Sequence, residues 1–158
     1  MGESDFLNLI EDNQNIIHKV CRMYTDTQED HADLFQEIML QLWQSYQRFK
    51  GESKITTWMY RVALYTAITS LKKRLKAPKP DSDFENLPIT YEMEDQFRYE
   101  GLQMAIKELD ENERAIIMLY LEEKPYKEIS EILGITENHV GVKVNRIKKK
   151  LKTVLTKI

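Results

Sequence analysis

The stretch KPYKEISEILGITENHVGVKVNRIKKK, residues 124–150, holds a helix stop and a helix start two residues apart. Pro125 suits a first helical position, where its missing N–H costs nothing. Tyr126, Ile129 and Leu133 then mark one apolar face. Gly134 follows, at the place where a helix C-cap needs positive φ. Ile135 fills the turn, and the Thr136 hydroxyl can cap the next helix. A helix of about eight residues, a glycine turn and a second helix with a basic face make the helix-turn-helix pattern.

The second helix has two sides. Val140, Val144, Ile147, Leu151 and Leu155 recur at spacings of 4, 3, 4 and 4 and pack inward. Asn138, Val142, Lys143, Asn145, Arg146 and Lys149 are thereby turned outward. Thr136–Lys150 as a helix spans about 22 Å, enough to lie in a major groove about 12 Å wide. Its asparagines and arginine suit base edges, and the Lys148–Lys150 cluster suits phosphates. A solvated basic face is the bland alternative, and the glycine turn and caps argue against it. Upstream, LDENERAIIMLYL (109–121) opens with Asp110 three residues before Glu113, a capping-box spacing.

The first half is helical as well. Leu34, Ile38, Leu42 and Tyr46 recur every fourth residue, with Phe35, Met39 and Trp43 beside them. In TTWMYRVALYTAITSLKKRLK (56–76), Trp58, Arg61, Tyr65, Thr69, Lys72 and Lys76 fall within about 60° of one line. Met59, Ala63, Ala67 and Leu71 lie on the other side. Such a stripe suits single-stranded nucleic acid, with bases on aromatics and cations along the backbone. Alternatively, Trp58 and Tyr65 are partly buried core residues. In DHADLFQEIMLQLWQSY (30–46), Asp30, Asp33, Gln36 and Glu37 line one side of an apolar seam, as a protein-docking face or a solvated acidic one.

Between the halves, APKPDSDFENLPITYEMEDQF (77–97) holds three of the four prolines and much acid, so helix ends there. The expected architecture is all-α. Two small helical domains, 1–77 and 99–158, are joined by a flexible acidic linker over 78–98, and the second domain carries the helix-turn-helix. Stretched, the linker reaches roughly 75 Å.

The chain has 158 residues and a net charge of −3. That charge is unevenly placed: five acids and no Lys or Arg from Asp26 to Glu37, five bases and no acid from Lys72 to Lys79, and seven bases and no acid from Lys143 onward. Two polyanion-facing patches and one acidic patch for another partner follow. No run approaches the roughly 18 apolar residues of a membrane span. The start, MGESDFLNLI, lacks the basic region and cleavage site of a signal peptide. One cysteine, Cys21, leaves no internal disulfide, which fits a reducing cytoplasm. His18, His31 and His139 are scattered, and no nucleophile–base set or phosphate loop is visible. His18 and Cys21, three apart, do not make a four-ligand zinc site. Neither an enzyme nor a cofactor or metal is expected.

On these residues the chain resembles a known family. DLFQEIMLQLWQSYQRFKGESKITTWMYRVALYTAITSLKKR (33–74) resembles the second region of bacterial sigma factors of the small extracytoplasmic-function (ECF) type. AIKELDENERAIIMLYLEEKPYKEISEILGITENHVGVKVNRIKKKLK (105–152) resembles their fourth region. The resemblance implies a promoter-recognising subunit of RNA polymerase. Asp33, Leu34, Gln36 and Glu37, with Leu40 and Trp43, would dock on the clamp of the β′ subunit. Lys50, Ser53, Lys54, Trp58, Arg61, Tyr65, Thr69, Lys72, Lys73 and Lys76 would meet the −10 element. Thr136, Glu137, Asn138, His139, Val142, Lys143, Arg146, Lys149 and Lys150 would meet the −35 element. Implied partners are core polymerase (β′ clamp and β flap), promoter DNA and an anti-sigma factor, without membrane insertion. This chain has Tyr65 where the family often has asparagine, and Gly141–Val142 where it often has a basic residue and serine. The rival is a stand-alone helix-turn-helix regulator, which would leave the acidic face and aromatic stripe without a role.

Overall fold

The computed structural model describes residues 2–49, 51–76 and 96–156; the side chains of 96–100 and of 155–156 are not among them. Every regular element in it is a helix, and the chain divides into two compact units, 1–89 and 90–158. The expected linker falls almost wholly outside the described residues.

The first unit is a three-helix bundle of α1 (Glu3–Tyr24), α2 (Gln28–Tyr46) and α3 (Ile55–Lys76). Helix α1 breaks its regular dihedrals at Asn13 (φ −127°, ψ 17°). The Asn13 amide donates to the Leu9 carbonyl at 2.9 Å, a side chain competing with the helix for a backbone acceptor. The turn into α2 is closed by two threonines. Thr25 donates to the Cys21 carbonyl at 2.6 Å, and Thr27 caps α2 by accepting from the Asp30 amide at 3.0 Å. Leu34, Ile38, Leu42 and Tyr46 are buried, as their spacing requires. On α3, Ala63 and Ala67 are fully buried one turn apart, and their small side chains allow close helix approach. Arg74 donates to the Tyr24 carbonyl at 2.5 Å and stands 3.5 Å from the Asp30 carboxylate. The end of α3 is thus tied to the α1–α2 corner.

The second unit comprises α4 (Gln96–Lys107), α5 (Glu111–Leu121), α6 (Tyr126–Leu133) and α7 (Glu137–Thr156). The capping box at Asp110 is complete: Asp110 accepts from the Glu113 amide at 2.8 Å, and Glu113 accepts from the Asp110 amide at 3.3 Å. Arg114 donates to the carbonyls of Lys107 and Leu109, at 2.6 and 3.2 Å, and so satisfies acceptors left open at the end of α4. Gly134 sits at φ 71°, ψ 32°, the left-handed cap that its place in the sequence requires. Thr136 caps α7 by accepting from the His139 amide at 3.1 Å.

Two details of the turn motif differ from expectation. Pro125 is the N-cap of α6 and not its first residue; its ψ of 152° is extended, and its carbonyl accepts from the Ile129 amide. The inward face of α6 is Ile129 and Ile132, with Leu133 only half-buried and Tyr126 at the rim. Three and four residues after Ile129 both lie on the apolar side, and packing selected the former. The α7 seam is as expected: Val140, Val144 and Ile147 are fully buried and Leu151 nearly so. Leu155 lies outside the described side chains.

Candidate polymerase and nucleic-acid interfaces

The acidic face of α2 is composed as the spacing predicts, with one correction. Asp33, Gln36, Glu37, Leu40 and Trp43 are exposed, whereas Leu34 is buried in the bundle at 2% exposure. Leu34 lies about 100° round the helix from Asp33 and belongs to the core seam, so it can support the face but not touch a partner. Leu40 is 52% exposed, a large apolar group beside carboxylates. Trp43 is steadied by the Phe6 ring, edge-on at a centroid distance of 5.0 Å. The face therefore offers two acids, an amide and two apolar anchors.

On α3 the expected stripe splits. Trp58 is only 8% exposed, with its ring 5.1 Å from Phe49 and 6.1 Å from Tyr46. It fills the corner where the segment after α2 turns back into α3 and is withdrawn from the surface stripe on which the spacing placed it. Tyr65, two turns on, is 74% exposed. Arg61, Lys72, Lys73 and Lys76 are exposed as well, Thr69 is half-buried, and Ser53 and Lys54 stand at the entry to the helix. Lys50 lies outside the described residues. What remains is a shorter surface, with one aromatic among cations.

On α7, Thr136, Glu137, Asn138, His139, Val142, Asn145, Arg146 and Lys149 are exposed, and Lys143 is half-buried. The lysine cluster is not one surface. The Lys150 ammonium lies 2.6 Å from the Glu113 carboxylate, itself buried on α5. Lys148 stands over the Tyr120 ring at 4.4 Å, and its bond to the Tyr120 side chain raises its pKa. Lys149 points outward between them. Lys150 thus ties α5 to α7 while its side chain stays 57% exposed, and Lys148 is likewise engaged within its own unit.

Some chemistry was not legible beforehand. His18 Nδ1 and His31 Nε2 approach to 3.0 Å between α1 and α2, and His18 stacks on Phe35 at 4.7 Å. Burial lowers both histidine pKa values; His18 adds to the lowering at His31, and Arg22 adds at both. Cys21 is fully buried, and burial pushes its thiol up to about 12, so it is inert. Among the described residues, no group of three or more metal-ligating side chains occurs.

Comparison with known proteins follows the same division. Residues 9–76 match the model of Sigma-70 region 2, and residues 99–151 match that of Sigma-70, region 4. The RNA polymerase sigma factor SigV of Bacillus subtilis is 28% identical over 149 residues, covering 94% of this chain and 89% of that protein. The ECF RNA polymerase sigma factor SigG of Mycobacterium tuberculosis is 38% identical over 60 residues, 38% of this chain and 16% of the longer protein. In fold, the chain is similar to the sigma factor RpoE of Bartonella quintana, solved in complex with the anti-sigma factor NepR. The TM-score is 0.73 at 17% identity, over 96% of this chain and 97% of that one. With region 2 and region 4 in the family's order on one chain, this protein belongs to the sigma-70 family, in its ECF subfamily.

Proposed function

We infer that this chain is an RNA polymerase sigma factor, which binds core polymerase, recognises promoter DNA and starts transcription. The observation that carries the reading is the pairing of regions 2 and 4 in one chain. A stand-alone regulator would need only the second. The family's part in initiation is binding and not catalysis.

Residue roles are assigned within that reading. Domain 1–77 docks on the β′ clamp through Asp33, Gln36, Glu37, Leu40 and Trp43. It meets the −10 element through Ser53, Lys54, Arg61, Tyr65, Thr69, Lys72, Lys73 and Lys76. Domain 99–158 meets the β flap and lays α7 in the −35 major groove, where Asn138, His139, Lys143 and Arg146 face base edges and Lys149 faces a phosphate. The exposure of most of these side chains, with Ser53, Thr69 and Lys143 half-buried, supports the assignment. Residues 78–98 serve as the linker. An anti-sigma partner is proposed by analogy with the RpoE complex. The cytoplasm, where polymerase and DNA are, is the proposed location; no described helix is long and apolar enough to cross a membrane.

The test mixes the purified chain with bacterial core RNA polymerase and follows co-elution, then open-complex formation on promoters of its own genome. Stable association with promoter-specific initiation is expected. Direct binding to duplex DNA without association with core would replace the reading with that of a stand-alone regulator.

A further inference from the structure

Most described apolar residues of α7 are buried, and Val154 near its end is half-buried. Val140, Val144, Ile147 and Leu151 form the buried seam. Val142 alone among the described apolar residues of this helix is exposed, at 42%. A single surface valine is ordinary in itself. This one is not at an edge. At about 100° per residue it stands about 170° from the centre of the seam, at the middle of the outward face. Asn138 and Arg146 lie one turn before and after it, and His139 and Asn145 flank it at three residues' distance; all four are exposed. A group with nothing to hydrogen-bond therefore occupies the centre of a ring of four that can.

Stability does not call for valine here. A β-branched residue on an exposed helix position is a poorer helix former than alanine or lysine, and its neighbour Gly141 is poorer still. In its own unit the side chain is left 42% exposed. In the major groove, one base edge offers an apolar group, the C5-methyl of thymine, which meets small apolar side chains. Asparagine and arginine beside it match the adenine and guanine edges.

We propose that Val142 is a specificity-determining residue of the promoter-binding surface, selecting thymine at one position of the −35 element by contact with its C5-methyl group. The proposal rests on the placement of α7 in that element. Burying one methyl group is worth about fourfold in affinity. Val142→Ser removes the apolar contact while keeping a small side chain, and Val142→Thr keeps one methyl.

The experiment reconstitutes holoenzyme from the full chain and core polymerase and selects from promoters randomised across the −35 element. Each selected thymine is then replaced singly by deoxyuridine, which lacks only the methyl. With the native chain, one such replacement is expected to weaken holoenzyme binding about fourfold. With Val142→Ser the same replacement should have no effect, and selection for thymine there should be lost; Val142→Thr should retain part of both. Deoxyuridine tolerated at every selected thymine, a −35 consensus without thymine, or a penalty undiminished in Val142→Ser would each overturn the proposal. If Arg146→Ala also leaves −35 selection unchanged and Lys149→Ala leaves promoter affinity unchanged, the placement of α7 itself is wrong.

Discussion

Trp58 and Tyr65 lie seven residues apart on one helix and meet opposite fates, one packed on Phe49 and Tyr46, the other 74% exposed. Helical spacing puts them on one line, but only the returning chain after α2 covers the first. Trp58→Ala should cost about 3–5 kcal/mol of region 2 stability, the range for emptying a large aromatic site. Tyr65→Ala should change stability by less than about 0.5 kcal/mol and instead weaken opening of the −10 element. Paired denaturant melts and open-complex assays separate them; equal stability losses would contradict the burial seen here. Gly141 offers a gain. A Cβ there would sit 3.5 Å from the Tyr126 ring, an ordinary contact, so Gly141→Ala should raise the stability of the second unit by about 0.5–1 kcal/mol. A lower melting temperature would show that α6 and α7 cannot accommodate even one methyl.

The His18–His31 contact has a pH consequence at the same scale. Two rings 3.0 Å apart share a hydrogen bond only while at least one is neutral, and burial and Arg22 favour the neutral forms. The neighbouring Asp30 carboxylate is turned toward Arg74. With both folded pKa values below the ordinary 6.5, the unfolded chain takes up protons first as pH falls. Region 2 stability should be level above pH 7 and decline from about pH 6.5 downward, until the lower folded values are passed. Melting curves of the native chain and of the double variant His18→Gln/His31→Gln, taken across pH 5–8, check this. A slope that survives in the variant would assign the effect elsewhere.

At the scale of elements, α7 shows how neighbours in sequence acquire different work. Lys148, Lys149 and Lys150 read as one basic run, yet successive helix positions point about 100° apart. One meets Tyr120, one faces outward, and one reaches a carboxylate 37 positions earlier in the chain. Lys149→Ala should weaken promoter binding and reduce its salt slope by about one. Lys150→Ala should instead lower stability modestly, by up to about 1 kcal/mol for a pair with one exposed partner, and leave the salt slope nearly unchanged. If the two variants exchanged these phenotypes, the α5–α7 tie would be disproved. The helix boundaries here were readable beforehand because Asp110, Gly134 and Thr136 act through local backbone bonds. Which of Ile132 and Leu133 turned inward was not, since both lie on the apolar side of α6.

For the whole molecule, the assignment of clamp docking to α2 and of −35 contacts to α7 predicts separable defects. Glu37 and Arg146 are both exposed, on α2 and α7, so neither substitution should unfold its unit. Glu37→Lys should abolish co-elution with core polymerase. Arg146→Ala should leave co-elution intact and reduce −35-dependent initiation by about 10-fold or more, as expected for one lost bidentate contact of 1–3 kcal/mol. Loss of polymerase binding in Arg146→Ala would mean that the division of labour is wrong.

The sequence by itself determined the all-helical architecture, the helix-turn-helix and the family. Helical period, caps and the glycine turn are local properties, written in residues three or four apart. It also placed the exposed members of the α2 and α7 faces, because a seam buried on one side of a helix exposes the other. Only the tertiary structure decided that Trp58 is interior, that Lys150 meets Glu113, and that His18 meets His31. Each of these depends on which other helix or loop arrives at a given face. That is set by packing between segments distant in sequence, where the period of a single helix carries no information.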